Sequence, residues 1–376
     1  MVAILYLFFN RLPIGRGQRQ LFGSFHDANW HRSNKQIWIS NKQISKSISN
    51  NPQINLGPQH PSTHGVLRII AFVAGETIKW LQLEIGLLHR GTEKLIEYKT
   101  YNQSIPYFNR LDYVSLIAQE EIYINNIEKL LNLRISRYGS VVRTIFLEIS
   151  RILNHLLAVT SNAIDVGAFT PFLLGFEERE KLMSFYEAIS GARMHSGFLR
   201  LGGISVDVPL YLFDQIYKWL NVFPIKLQDI HTVLTGNRIW RVRLADVGIL
   251  TKQMINGFSL TGVLLRGSNI KIDLRLIGYE YYSNIRFNVV TGVKGDCLSR
   301  YLIRMKLFVE TVCLVVAFKT DISCFKGYNS WSSWIFVARN HRFFKMDIIS
   351  ERKVFFPNYV ILIRFGFQIF ELFYDF

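Results

Sequence analysis

Four short stretches hold residue types whose spacing could do chemistry. Gly57-Pro58-Gln59-His60-Pro61-Ser62-Thr63-His64-Gly65 sets two histidines four apart. On a helix, that spacing would put both imidazoles on one face, as zinc ligands are placed. Pro61 and the flanking glycines argue instead for a loop entering a strand, and a third ligand is missing. A loop histidine of this kind either donates to a ligand or satisfies the backbone of its own turn. Asn109-Arg110-Leu111-Asp112-Tyr113 precedes a helical run. Tyr113 could donate a proton while its ring packs on a flat apolar ligand, or could simply be core. Arg110 and Asp112 read as a local ion pair. Asn162-Ala163-Ile164-Asp165-Val166-Gly167 sets a carboxylate among apolar residues. Such a group needs a histidine or arginine if buried, or serves as a helix cap or turn residue. Ser190-Gly191-Ala192-Arg193-Met194-His195-Ser196-Gly197-Phe198-Leu199-Arg200 joins small residues to two arginines and a histidine, a positive lining suited to an anion or a reduced cluster. Glu148, Arg151 and His155 are spaced for pairing along a helix.

The elements that must position these groups follow from periodicity. Val66–Val73 and Ile78–Ile85 alternate as a hairpin about residues 74–77. Tyr123, Ile124, Ile127, Leu130 and Leu131 mark one helix face, and Val142 through Leu157 mark a longer one. Further helices are expected near 176–190 and 209–221, and a mixed region with glycine turns over 237–300. Residues 1–53 form an atypical polar extension, expected to be poorly ordered. Residues 306–376 hold 13 of the 29 phenylalanines without a clean period.

Bulk properties narrow the classes. Hydrophobic residues make up 49% and charged residues 19%, as in a protein with a substantial core. The net charge of +16 is spread along the chain rather than clustered with aromatics, which argues against a nucleic-acid binder. Cys297, Cys313 and Cys324 form no C-x-x-C pair, so no zinc ribbon or iron–sulfur site of the chain's own is expected. Met1–Asn10 is a weak leader candidate, and 354–370, broken by Pro357 and Arg364, reads as non-spanning. Nucleotide-binding loops and serine or cysteine nucleophile motifs are absent.

Taken together, GPQHPSTHGVLR (57–68), GLLHRGTEKLIEYKTYNQSIPYFNRLDYVS (86–115), LEISRILNHLL (147–157), FEEREKL (176–182), SGARMHSGF (190–198), LTGNRIW (234–240) and GDCLSRYLIRM (295–305) resemble one family. It is the mitochondrial complex I 49 kDa-type (D-type) subunit, and the likeness spans about 54–305. The resemblance implies an α+β fold, an N-terminal β-rich portion on a long helical bundle, related to the nickel–iron hydrogenase large subunit. It implies a subunit of the proton-translocating NADH:ubiquinone oxidoreductase, active only in the assembled complex. That subunit lies peripherally on the matrix side of the mitochondrial inner membrane. Its partners would be the cluster-bearing B-type subunit, the C-type subunit and the membrane-arm subunits.

By the same resemblance, His64 and Tyr113 would hydrogen-bond the carbonyls of ubiquinone, and Asp165 would pair with that histidine. Arg90 and His195 would lie beside a [4Fe-4S] cluster held by a partner subunit. The missing C-x-x-C pairs separate the chain from hydrogenases proper. A redox-inactive scaffold or assembly subunit of the same complex is the alternative. After Met305 the family's acidic, helix-forming continuation is replaced by Lys306-Leu307-Phe308-Val309-Glu310 and a Phe-rich tail, which reads as translated intron or frameshifted sequence.

Overall fold

The computed structural model describes residues 52–75 and 77–325, with side chains described as far as residue 316. The polar extension and most of the Phe-rich tail, including the 354–370 run, lie outside the described residues. The chain divides after Arg90 into two units, each compact in itself.

The first unit is an antiparallel three-stranded sheet: β1 (Gln53–Leu56), β2 (Leu67–Ala74) and β3 (Thr77–Ile85), in the order β1-β2-β3. The expected hairpin is β2–β3; β1 is an additional strand. Strand β2 alternates as a half-buried strand must, with Leu67, Ile69, Ala71 and Val73 all buried. Its register sets Arg68 opposite Glu84, joined by a 3.0 Å ion pair. The loop between β1 and β2 turns on Gly57. Its φ is +83°, and a Cβ there would sit 2.3 Å from the Leu67 carbonyl oxygen, so only glycine fits.

The second unit is helical, with one small two-stranded ribbon. Its elements are α1 (Thr92–Ile96), α2 (Tyr101–Asn109), α3 (Leu116–Leu131), α4 (Arg137–Val166), α5 (Phe169–Ser190), β4 (Leu199–Arg200), β5 (Gly203–Ile204), α6 (Leu210–Thr235), α7 (Arg238–Leu244), α8 (Lys252–Phe258), α9 (Gly262–Gly267) and α10 (Cys297–Phe325). Two 3₁₀ turns, Leu274–Ile277 and Glu280–Asn284, precede α10. The architecture is therefore mixed α and β with helices dominant.

Helix α4 is the axis of this unit. Ser136 caps it by accepting from the Gly139 N–H at 3.1 Å, and Gly167, at φ 98°, ends it. Val142, Ile145, Phe146, Ile149, Ile152, Leu153 and Leu156 are buried along it, the face that periodicity marks. Helices α5 and α10 pack against it. At the α4–α5 crossing, a Cβ on Gly175 would come within 2.3 Å of the Thr160 Cγ2, so the absence of a side chain sets the closeness of the two helices.

Two readings need correction. Leu130 and Leu131, placed by spacing on the apolar face of α3, are 57% and 43% exposed. They occupy the last turn of the helix, where the apolar stripe has rotated off the core. The first residues after Met305, 306–316, do continue a helix: α10 runs without a break across Met305 and Lys306, and Leu307, Phe308, Thr311, Leu314 and Val315 are buried. Lysine, phenylalanine and threonine among the aliphatic residues obscure that stripe in the sequence.

Candidate functional site

The His60–His64 loop folds as a 3₁₀ turn over Pro61–Thr63, not an α-helix, so the two imidazoles do not share a helix face. His60 caps the turn: its Nδ1 meets the Ser62 hydroxyl at 2.7 Å and accepts from the Ser62 N–H at 3.3 Å. The Thr63 hydroxyl donates to the Pro58 and His60 carbonyls at 2.8 and 2.9 Å. The backbone-satisfying role thus falls to His60. His64 follows in the left-handed region, at φ 51°, and is half-buried. A residue other than glycine in that region is costly and is kept only where its surroundings enforce it. Arg90, the last residue of this unit, is exposed.

In the helical unit, Tyr113 lies between α2 and α3, half-buried, beside a fully buried Asp112. Asp112 is not in the local ion pair read from sequence. Its Oδ1 accepts from the Val114 and Ser115 N–H groups at 3.0 and 3.3 Å, closing the entry to α3. Arg110 donates instead to the Pro106 carbonyl at 2.9 Å. Burial pushes Asp112 up to about 6 against the pull of its two backbone donors. Burial, and then the charge on Asp112, push the Tyr113 phenol well above its ordinary value, so it keeps its proton and serves as a hydrogen-bond donor.

The Ser115 and Ser150 hydroxyls, 3.5 Å apart, set this segment beside the middle of α4. Asp165 stands roughly four turns further on, in the last turn of that helix. It is therefore not an N-cap. A carboxylate at a helix C-terminus opposes the macrodipole, so helix stability does not account for it.

His195 lies in the loop from α5 to β4, and its Nδ1 is 2.7 Å from the Asn109 Oδ1. The structure thus ties His195 to the same 109–113 segment that carries Tyr113. Asn109, fully buried, hydrogen-bonds through its Nδ2 to Glu120, which is also fully buried. Glu120 in turn accepts the N–H groups of Gly197 and Leu199 at 2.8 and 3.0 Å. Arg193 of this stretch pairs with Glu180.

Sequence reasoning passed over the largest feature of the unit, a run of buried charge along α4. Arg143, wholly buried, donates to Glu128 at 2.8 and 2.9 Å, to Glu280 at 3.0 Å, and to the carbonyls of Arg200 and Gly203. Glu121 lies 3.7 Å away. Burial and the neighbouring Glu280 hold Glu121 well above the usual carboxylate range. Glu280 reaches this position from a left-handed backbone at φ 48°. Five residues along α4 from Arg143, Glu148 accepts from Arg151 at 3.3 Å, from Arg275 at 3.4 Å and from the Tyr282 hydroxyl. The structural pairing of Glu148 with Arg151 is as the helical spacing implied. Burial alone would raise Asp273, but Arg275, bonded to it at 2.8 Å, pulls it well below the usual range. Burial, then Arg304 and Arg151, hold His155 well below its ordinary value, as a neutral core histidine. The signal for this network was present in sequence: Glu121 and Glu128, seven apart, share a face of an apolar helix.

Among the described residues, no group of three or more His, Cys, Asp or Glu could hold a metal ion. Cys297 is buried and engaged by Arg300 at 3.0 Å, and Cys313 is exposed. No helix among the described residues is long and apolar enough to cross a membrane.

A mixed fold with buried ion pairs and a phenol donor defines a scaffold for polar chemistry; comparison with known proteins makes this specific. Residues 165–323 match the family described as respiratory-chain NADH dehydrogenase, 49 Kd subunit, a match that extends past Met305. The chain is 52% identical over 285 residues to the NADH-ubiquinone oxidoreductase 49 kDa subunit of Prototheca wickerhamii, covering 75% of this chain and 71% of that one. It is 50% identical over 264 residues to the NADH dehydrogenase [ubiquinone] iron-sulfur protein 2 of Arabidopsis thaliana, covering 70% and 67%. To the mitochondrial 49 kDa subunit of Neurospora crassa it is 49% identical over 263 residues, covering 70% and 55%. The chain belongs to the 49 kDa subunit family of NADH-ubiquinone oxidoreductase, respiratory complex I.

Proposed function

We propose that the chain is the quinone-site subunit of the peripheral arm of complex I, placed on the matrix side of the mitochondrial inner membrane. The fold would be that of the hydrogenase large subunit without its metal-holding cysteines. The reading assigns roles to His64, Arg90, Tyr113, Asp165 and His195. A [4Fe-4S] cluster held by the partner B-type subunit would supply electrons; the C-type and membrane-arm subunits complete the proton-translocating assembly.

The residues of this chain bind, orient and protonate. Tyr113 donates its phenol O–H to one carbonyl of the quinone headgroup, while its ring packs on the flat face. His64 donates to the other carbonyl, and both bonds strengthen as negative charge develops on those oxygens. Asp165 keeps the imidazole oriented and basic. Arg90 and His195 add positive charge near the electron donor. The observation that carries the reading is the state of Tyr113, a half-buried phenol beside a buried carboxylate and held protonated.

The test is Tyr113→Phe in the assembled complex, scored by ubiquinone reduction and by NADH oxidation with an artificial acceptor that bypasses the quinone. Quinone reduction should fall by about two orders of magnitude, with the bypass reaction and assembly unchanged. Unchanged quinone reduction would favour the redox-inactive scaffold reading.

A further inference from the structure

The loop carrying His195 is bent against backbone preference at that residue, whose φ is 24°, while Gly197 takes a φ of 54° that glycine allows. What holds it there is one buried carboxylate. Glu120, on α3, accepts from Gly197 N–H on Oε1 (2.8 Å) and from Leu199 N–H on Oε2 (3.0 Å), and the Ser196 hydroxyl lies 3.5 Å away. Its remaining partner is the Nδ2 of Asn109.

That last bond has a consequence one residue further on. A carboxylate accepts only, so the Asn109 amide must turn its NH₂ toward Glu120 and its oxygen away from it. The oxygen then faces the His195 Nδ1 at 2.7 Å. An amide oxygen cannot donate, so the proton of that bond belongs to the imidazole. Glu120 thus selects the amide orientation, and the amide selects the tautomer.

We propose that Asn109 and Glu120 are positioning residues for His195, fixing a proton on its Nδ1 and leaving Nε2 as the nitrogen that gains and loses one. The role of Nε2 rests on the reading of His195 as a neighbour of the partner's cluster. An imidazole that takes up a proton there would stabilise added negative charge, so the pH at which it titrates would be written into the cluster's potential. The charged groups around the loop are Glu120 from α3, Arg193 with its partner Glu180 on α5, and Arg200 on β4. The 2.7 Å bond from the Nδ1 to the Asn109 Oδ1 makes Asn109 a handle by which the basicity of the ring is set.

The experiment is a potentiometric titration of the partner's cluster by electron paramagnetic resonance, across pH, in complex assembled with wild-type, Asn109→Asp, Asn109→Ser and His195→Gln chains. Aspartate at 109 keeps the shape and puts a negative charge on Nδ1–H, so the bend in the potential–pH curve should move up by at least about one pH unit. Serine withdraws the acceptor and should move it down, which leaves a decisive variant if the other does not assemble. In a His195→Gln background, Asn109→Asp should shift nothing further. If His195→Gln alters the curve while neither Asn109 variant does, the positioning role is wrong and the reading of His195 stands. If His195→Gln leaves the curve as in wild type, the reading of His195 fails and the proposal with it.

Discussion

Single residues in this chain are set by whether a buried charge finds its counter-charge. Arg143 does, with three carboxylates and two carbonyls around one guanidinium; removing one partner from such a cluster costs about 3–5 kcal/mol, chiefly through the charge left behind. Asp112 is held instead by two backbone N–H donors, and burial raises it to about 6. The sign of the resulting pH dependence follows. Between the unfolded value of 3.8 and about 6, the folded chain holds a proton that the unfolded chain releases, so stability falls as pH rises through that window. The full cost above it is about 3 kcal/mol. Asn at 112 keeps the Oδ1 acceptor and has no proton to lose. Melting of the assembled complex followed from pH 4 to pH 7 should therefore fall less steeply for Asp112→Asn than for wild type. Parallel curves would show that Asp112 is ionised throughout. From sequence, Asp112 read as half of an ion pair with Arg110, because nothing local says that Arg110 turns to the Pro106 carbonyl.

Among the elements, α4 does most of the positioning. Its apolar period was legible because eight aliphatic or aromatic residues recur at helical spacing over sixteen positions. Its contact with α5 was not, since a glycine in FLLGFEE gives no hint of what it faces. Gly175 faces Thr160, and the two helices are closer than any side chain at 175 allows. Gly175→Ala should destabilise the subunit by about 1–3 kcal/mol through overpacking, although alanine is the better helix former. Thr160→Ala removes the Cγ2 that the new methyl would strike, while the Thr160 Cβ lies 3.6 Å from it, an ordinary contact. The double variant should recover most of the loss. The yield and melting temperature of the assembled complex measure both, and a double variant no better than Gly175→Ala alone would place the strain elsewhere.

On the scale of the whole molecule, the instructive segment is the start of the region that sequence set apart. The likeness read from sequence reaches only as far as Met305, yet the family match runs to residue 323, α10 continues through Met305, and Leu307 and Phe308 are buried in the core. The Phe308 ring meets Phe223 and His155 edge-on, with centroids 5.9 and 6.0 Å apart. Phe308→Ala should cost about 3–5 kcal/mol, and a chain stopped after Met305 should fail to enter the complex. Peptides from 306–316 should accordingly be recovered from the subunit in an NADH-active band on a native gel. A truncated chain that assembles as well as the full one would show that this half of the helix is dispensable.

The sequence by itself determined the family, the hairpin, the long helices and which histidines and tyrosines are chemically plausible. Those properties follow from residue type at fixed spacing, which local geometry preserves. Only the tertiary structure decided that His60 caps its turn while His64 takes the strained position, that Asn109 and Glu120 hold His195, and that Glu121, Glu128 and Glu280 converge on Arg143. Each of these joins residues from different elements or divides the work within one turn. A buried polar group must find its partner wherever packing places it, and spacing along the chain does not record that place.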